Sequence, residues 1–177
     1  GQGGAIVSRN KDFYEKALKY TDHGDLDWRE TNRHINIGTN LRFTDMAASL
    51  GLAQFHELDC LIQRKKRVHQ ALLGVLGEKL FSIPGEGTPL HNILLSPDSS
   101  RLVELLRAQK IMAARQYSTI SSNPAYRDLA EKGYPGADIM ASNAVYLPFG
   151  LSLSEDDGNR IAEAVSDSGV PLLSFSG

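Results

Sequence analysis

Cysteine is almost missing: Cys60 stands alone, so no disulfide can form within the chain. It lies in an apolar helical pattern, where a buried thiol is the expected state, and such sparse usage fits a reducing, cytoplasmic setting. No run of about 18 apolar residues occurs and no basic leader with an apolar core opens the sequence, so neither a spanning helix nor export by such a signal is expected. Charge of one sign is lacking too. Lys and Arg number 19 against 21 Asp and Glu, a net charge of −2, and the only compact basic run, Arg64-Lys65-Lys66-Arg67, reads as a solvated helix face. Nothing here asks for nucleic acid or an anionic membrane. Glycine-rich phosphate loops, zinc-ligand spacings, serine elbows and paired-carboxylate motifs are all absent. His23, His34, His56, His69 and His91 are scattered, and no metal site is expected from them.

What is present is ordinary globular material: 177 residues, 41% hydrophobic and 23% charged, enough to bury a core. Gly3 to Ser8 reads as a short strand behind a glycine pair. Asn10 is positioned to cap a helix over Lys11 to Tyr20, with Phe13, Ala17 and Tyr20 on one face and Gly24 closing it. Residues 25 to 42 show no clean period; with Trp28, Ile35 and Ile37 inside it, this stretch reads as an ordered loop. Thr44 can cap a helix carrying Met46, Leu50 and Phe55 among small residues, and a second helix follows from about Leu58 to Leu76 with Leu61, Ile62, Val68, Leu72 and Val75 inward. Strands are expected at Leu90 to Leu95, near Met112 to Tyr117 and at Val145 to Pro148. Helices are expected from Ser96-Pro97-Asp98, from Asn123-Pro124 to Gly133, and from Ser154-Glu155-Asp156-Asp157 in a near capping box. The pattern is α/β.

Gly1-Gln2-Gly3-Gly4-Ala5-Ile6-Val7 resembles the G-[EQ]-G-G-[AM]-[IV]-V segment of the DegT/DnrJ/EryC1/StrS family of pyridoxal-phosphate-dependent sugar aminotransferases, and the stretch to His23-Gly24 is similar to one ending there in D-H-G. The most specific likeness runs from Gly38 through Asn40, Arg42 and Thr44 to Gln54, which resembles G-x-N-x-R-[ML]-[ST]-[DN]-x-[QA]-A-[AS]-x-G-L-A-Q. Leu58-Asp59, the basic run, Tyr117, Pro124, Tyr126, Gly133-Tyr134-Pro135 and Leu147-Pro148 follow the family pattern as well. Thr119 and Ser121 depart from it, standing where the family has the proline and histidine of Y-x-P-x-H.

The resemblance implies the C-terminal portion of a fold-type I transferase: residues 1 to 42 as the end of the large cofactor-binding domain with an interface loop, and 43 to 177 as the small α/β domain. It implies pyridoxal 5'-phosphate in the full-length enzyme and a homodimer with its site at the subunit interface. The substrates it implies are a nucleotide-linked keto sugar and an amino-acid donor, usually glutamate. Asn40 is the residue expected to contact the phosphate of the cofactor bound in the partner subunit, with Arg42 supporting the same phosphate or pinning the loop. Trp28 and His34 are expected at the substrate entrance and Tyr117 at its rim, packing roles being the alternative for each. In the family the lysine that holds the cofactor comes shortly before the first glycine matched here, so no residue of this chain is expected to be catalytic and the chain alone is expected to be inactive. A non-catalytic truncated or split relative serving as a dimerisation module, and part of a sugar dehydratase with histidine in place of that lysine, are the alternatives left open.

Overall fold

The computed structural model describes residues 3–81, 87–129 and 134–175, apart from the side chains of residues 28 and 127–129. Two compact units divide the chain, Gly1–Leu58 and Asp59–Gly177.

In the first unit, the Asn10 side chain accepts from the Phe13 amide and so starts helix α1 (Lys11–Thr21), as its cap chemistry requires. A short helix α2 (Trp28–Thr31) interrupts the stretch read as loop. Thr44 Oγ1 accepts from Ala47 N at 3.2 Å and starts α3. That helix corrects two expectations. It runs unbroken from Asp45 to Leu76, 32 residues, rather than as two helices, because neither a proline nor a cap residue stands at the supposed joint and a lone Gly51 is tolerated in a long helix. Cys60 on it is exposed, not buried. Another correction concerns residues 3 to 8, which form no strand among the described residues: no neighbouring strand pairs with them, and Ile6 and Val7 stay exposed.

The second unit holds the core. Strand β1 (Asn92–Leu95) pairs antiparallel with β2 (Ala144–Leu147), Leu94 opposite Val145 on the buried face and Ile93 opposite Tyr146 on the other. Leu80 and Leu173 add single bridges at the β1 side and Ala114 one at the β2 side. The strand expected near 112 to 117 is reduced to that last bridge, since a segment that meets its neighbour at one residue builds no ladder. Helices α4 (Ser99–Ala108), α5 (Pro135–Asn143) and α6 (Glu155–Asp167) belong to this unit. Helix α4 begins at Ser99 with Asp98 as cap, so Pro97 precedes the helix. Helix α5, with proline in its first turn, was not anticipated; Asn123-Pro124 leads into a 3-10 turn, and Gly133 lies outside the described residues. Val68, Leu72 and Leu76 of α3 pack with Leu94, Leu102, Leu106, Val145, Ile161 and Val165. Val75, expected inward, is exposed: it stands three residues from Leu72 but at the edge of the buried face, on the side away from His69 and Leu76. Within this apolar core His69 Nδ1 donates to Asn92 Oδ1 at 2.7 Å, both residues buried.

Ser154 and Asp157 form the expected capping box at the start of α6. Ser154 Oγ accepts from Asp157 N at 3.1 Å and Ser154 N donates to Asp157 Oδ2 at 2.8 Å. The Ser154 backbone N–H, and then its hydroxyl, hold the Asp157 carboxyl below its ordinary pKa. A lowered folded-state pKa contributes stability that is present above the ordinary carboxylate pKa and disappears as pH falls through the lowered one. Ser154→Ala removes the cap oxygen and the hydroxyl that helps to hold the Asp157 carboxylate, and is expected to lower the urea midpoint at neutral pH. Urea midpoints at pH 7 and pH 3 check this: the gap between wild type and variant should narrow in acid.

Candidate functional site

The first unit turns a sharp corner after α1. Asp22 closes the helix, His23 and Gly24 follow with φ of 63° and 87°, and Gly24 N returns to Lys19 O at 2.7 Å. A Cβ on Gly24 would overlap the Asn36 carbonyl oxygen and one on Gly38 would overlap the Gly24 amide nitrogen, so backbone meets backbone here and only glycine fits either place. That contact lets residues 39 to 41 lie along residues 20 to 23. Thr39 N donates to Tyr20 O at 2.8 Å, His23 N to Thr39 O at 3.1 Å and Leu41 N to Thr21 O at 3.0 Å, which makes Asp22 and Asn40 bridge partners.

The side chains on this corner interact. Arg42 Nε donates to Asn40 Oδ1 at 3.1 Å and lies 3.6 Å from Asp22 Oδ1. Arg29 Nη1 reaches Asp22 Oδ2 at 3.5 Å, and His23 Nε2 is 4.0 Å from Asp22 Oδ1. His34 joins the same corner through a backbone acceptor: its Nδ1 lies 3.0 Å from the His23 carbonyl oxygen, which only accepts, so Nδ1 carries the proton. Gly3, Tyr14, Asn40, Arg42 and Phe43 help to line an open cleft of about 690 Å3. No lysine is among its described lining residues.

Three of the residues singled out from the sequence, Asn40, Arg42 and His34, are thus gathered at one corner of the first unit. The backbone of Trp28 opens α2, while its side chain lies outside the described residues. Tyr117 belongs to the second unit, where it is exposed and packs edge-on against Tyr146 at 5.7 Å, with His91 edge-on to Tyr146 at 5.3 Å. Burial first, and then the neighbouring Tyr117, raise the Tyr146 pKa above that of a free phenol. Sequence reasoning passed over Asp22, the residue on which the corner's cations converge; its signal was the D-H-G stretch itself.

The donor set suits an anion. Asn40 offers a neutral amide N–H, its Oδ1 being occupied by Arg42, and Arg42 offers a guanidinium, and both groups can donate to phosphate oxygens. The fold is that of part of a fold-type I pyridoxal-phosphate-dependent transferase. The chain belongs to the DegT/DnrJ/EryC1/StrS aminotransferase family, which matches residues 1–166.

A GDP-perosamine synthase of Escherichia coli O157:H7 is 25% identical over 94% of this chain and 47% of its own length. A dTDP-4-amino-4,6-dideoxy-D-glucose transaminase of Shigella dysenteriae is 30% identical over 88% of this chain and 45% of its own. The fold is similar to that of S. venezuelae DesV, at a TM-score of 0.80 and 22% identity over 91% of this chain and 45% of that one. It is similar also to Helicobacter pylori PseC, at 0.77 and 18% over 92% and 47%. The chain spans about half the length of the curated relatives it matches. Pyridoxal phosphate is the cofactor that family membership implies, and the donors that Asn40 and Arg42 carry are of the chemical kind a phosphate accepts from.

Proposed function

We propose that this chain is the C-terminal half of a cytoplasmic enzyme that moves an amino group from an amino acid, most simply glutamate, to the keto carbon of a nucleotide-linked sugar. The observation that carries the reading is the Asn40–Arg42 pair, held in one hydrogen-bonded unit within the family-matched segment. The names of the relatives, a GDP-perosamine synthase and a dTDP-4-amino-4,6-dideoxy-D-glucose transaminase, support the substrate class. When bound, pyridoxal phosphate supplies the electron sink through which nitrogen leaves the donor and reaches the acceptor. This chain's share is binding and orientation. Asn40 donates to the phosphate of the cofactor in the partner subunit, and Arg42 holds Asn40 in place and adds positive charge. His34, held through Nδ1 to the His23 carbonyl, and Trp28 are assigned to the substrate entrance, and Tyr117 to its rim. We keep residues 1–42 as the end of the large domain. The large apolar side chains of α3 that stay exposed here, Met46, Leu50 and Phe55 among them, support burial in a homodimer.

On this reading the chain alone holds no cofactor covalently. Mixed with pyridoxal phosphate and reduced with borohydride, it is expected to keep none of the cofactor at stoichiometric occupancy. Joined to its N-terminal half, the same protein should release one 2-oxoglutarate for each amino sugar formed from glutamate and a nucleotide keto sugar. Stoichiometric trapping on a single lysine of the isolated chain overturns the assignment.

A further inference from the structure

The geometry points to Asp22 as a positioning residue, whose carboxylate, acting through Arg42, decides which end of the Asn40 amide faces outward. The inference rests on the reading of Asn40 as a phosphate ligand and adds a residue to it. An asparagine amide has one end that accepts and one that donates, of nearly equal shape, and a freely turning amide offers either to a ligand. Asn40 does not turn freely. The backbone N–H of Arg42, at 3.4 Å, and its Nε–H, at 3.1 Å, converge on one side-chain atom of Asn40. Both groups only donate, so that atom is the oxygen, and the amino group faces away from Arg42. Among the described residues Asn40 Nδ2 has no acceptor. A phosphate oxygen only accepts: it binds the amino end and is repelled by the carbonyl end.

What keeps the Arg42 Nε in place is Asp22. Its Oδ1 stands 3.6 Å from Nε, and the carboxylate is 18% exposed where the arginine is 48% exposed. Arg29 and His23 face the same carboxylate and restrict it further. Because Asp22 and Asn40 are bridge partners, carboxylate and amide are carried by two backbone segments that hydrogen-bond to each other. A half-exposed ion pair contributes little stability. Its contribution here is direction, since without it the long arginine side chain swings into solvent and the amide is released.

Asp22→Asn keeps the shape and removes the charge, Asp22→Glu restores the charge, and Arg42→Lys removes the Nε donor while keeping a cation. Three readouts separate the roles: the 15N order parameter of the Asn40 side-chain amide in this chain, the pyridoxal phosphate dissociation rate in the holoenzyme that contains it, and the urea midpoint. Asp22→Asn and Arg42→Lys are each expected to bring the order parameter below about 0.6, to speed dissociation several-fold and to leave the midpoint in place, with Asp22→Glu recovering part of both effects. Arg42→Lys carries the test should Asp22→Asn fold poorly. An unchanged order parameter in both variants overturns the inference. So does a lowered order parameter with unchanged dissociation when Asn40→Ala does speed it. Unchanged dissociation in Asn40→Ala overturns the phosphate assignment itself.

Discussion

Asn40→Ala is expected to speed cofactor loss roughly tenfold to a hundredfold while leaving the fold intact. The residue is exposed and precedes the Thr44 cap of α3 without being part of it, so its truncation removes no cap and opens no cavity. It does remove a hydrogen bond to a charged phosphate, worth on the order of 1.5–3 kcal/mol, which converts to that range in affinity. Because the bond is proposed to cross the dimer interface, mixed dimers locate it. In one mixture, a subunit lacking the cofactor lysine but keeping Asn40 pairs with an Asn40→Ala subunit keeping its lysine; the remaining cofactor then still meets an asparagine. Placing both changes in one subunit puts the remaining cofactor opposite alanine, and it should dissociate at the faster rate. Equal rates in the two mixtures would sink the assignment in trans.

Leu72→Ala is expected to cost the second unit about 2–5 kcal/mol, the range for deleting a fully buried leucine and leaving part of its volume empty. Leu72 is 0% exposed, on the face of α3 that packs against both strands' buried residues and α6. Leu50→Ala on the same helix is the control: at 52% exposure in this chain it should change the denaturant midpoint little. Equal losses for the two variants would mean that the buried face of α3 is not the one described.

Much of this protein was legible in the sequence because it is written in local chemistry. Asn10, Thr44 and the Ser154–Asp157 box name their helix starts without help from the rest of the chain, since a side-chain oxygen and an unpaired amide a few residues on suffice. The strands at β1 and β2 were read nearly to the residue from short apolar runs. Asn40 and Arg42 were singled out because the stretch that carries the family resemblance is contiguous, and the hydrogen bond between them was not foreseen.

Residues separated in sequence were another matter. That Asp22 stands across a bridge from Asn40, and that His34 bonds the His23 carbonyl, depends on two glycines bringing backbones together, a closure that no periodicity records. The same limit explains the misreadings. Gly3–Ser8 and residues 112–117 have strand composition, but a strand exists only with a partner to complete its ladder. Cys60 and Val75 sit in apolar patterns, yet burial belongs to whichever helix face meets another surface. By itself the sequence determined where α1, α3 and α6 begin, that the class is α/β and which family's segment it resembles. Only the tertiary structure decided the unbroken length of α3, the pairing around Asp22 and the side of each element that water sees, because each of those is a relation between distant segments.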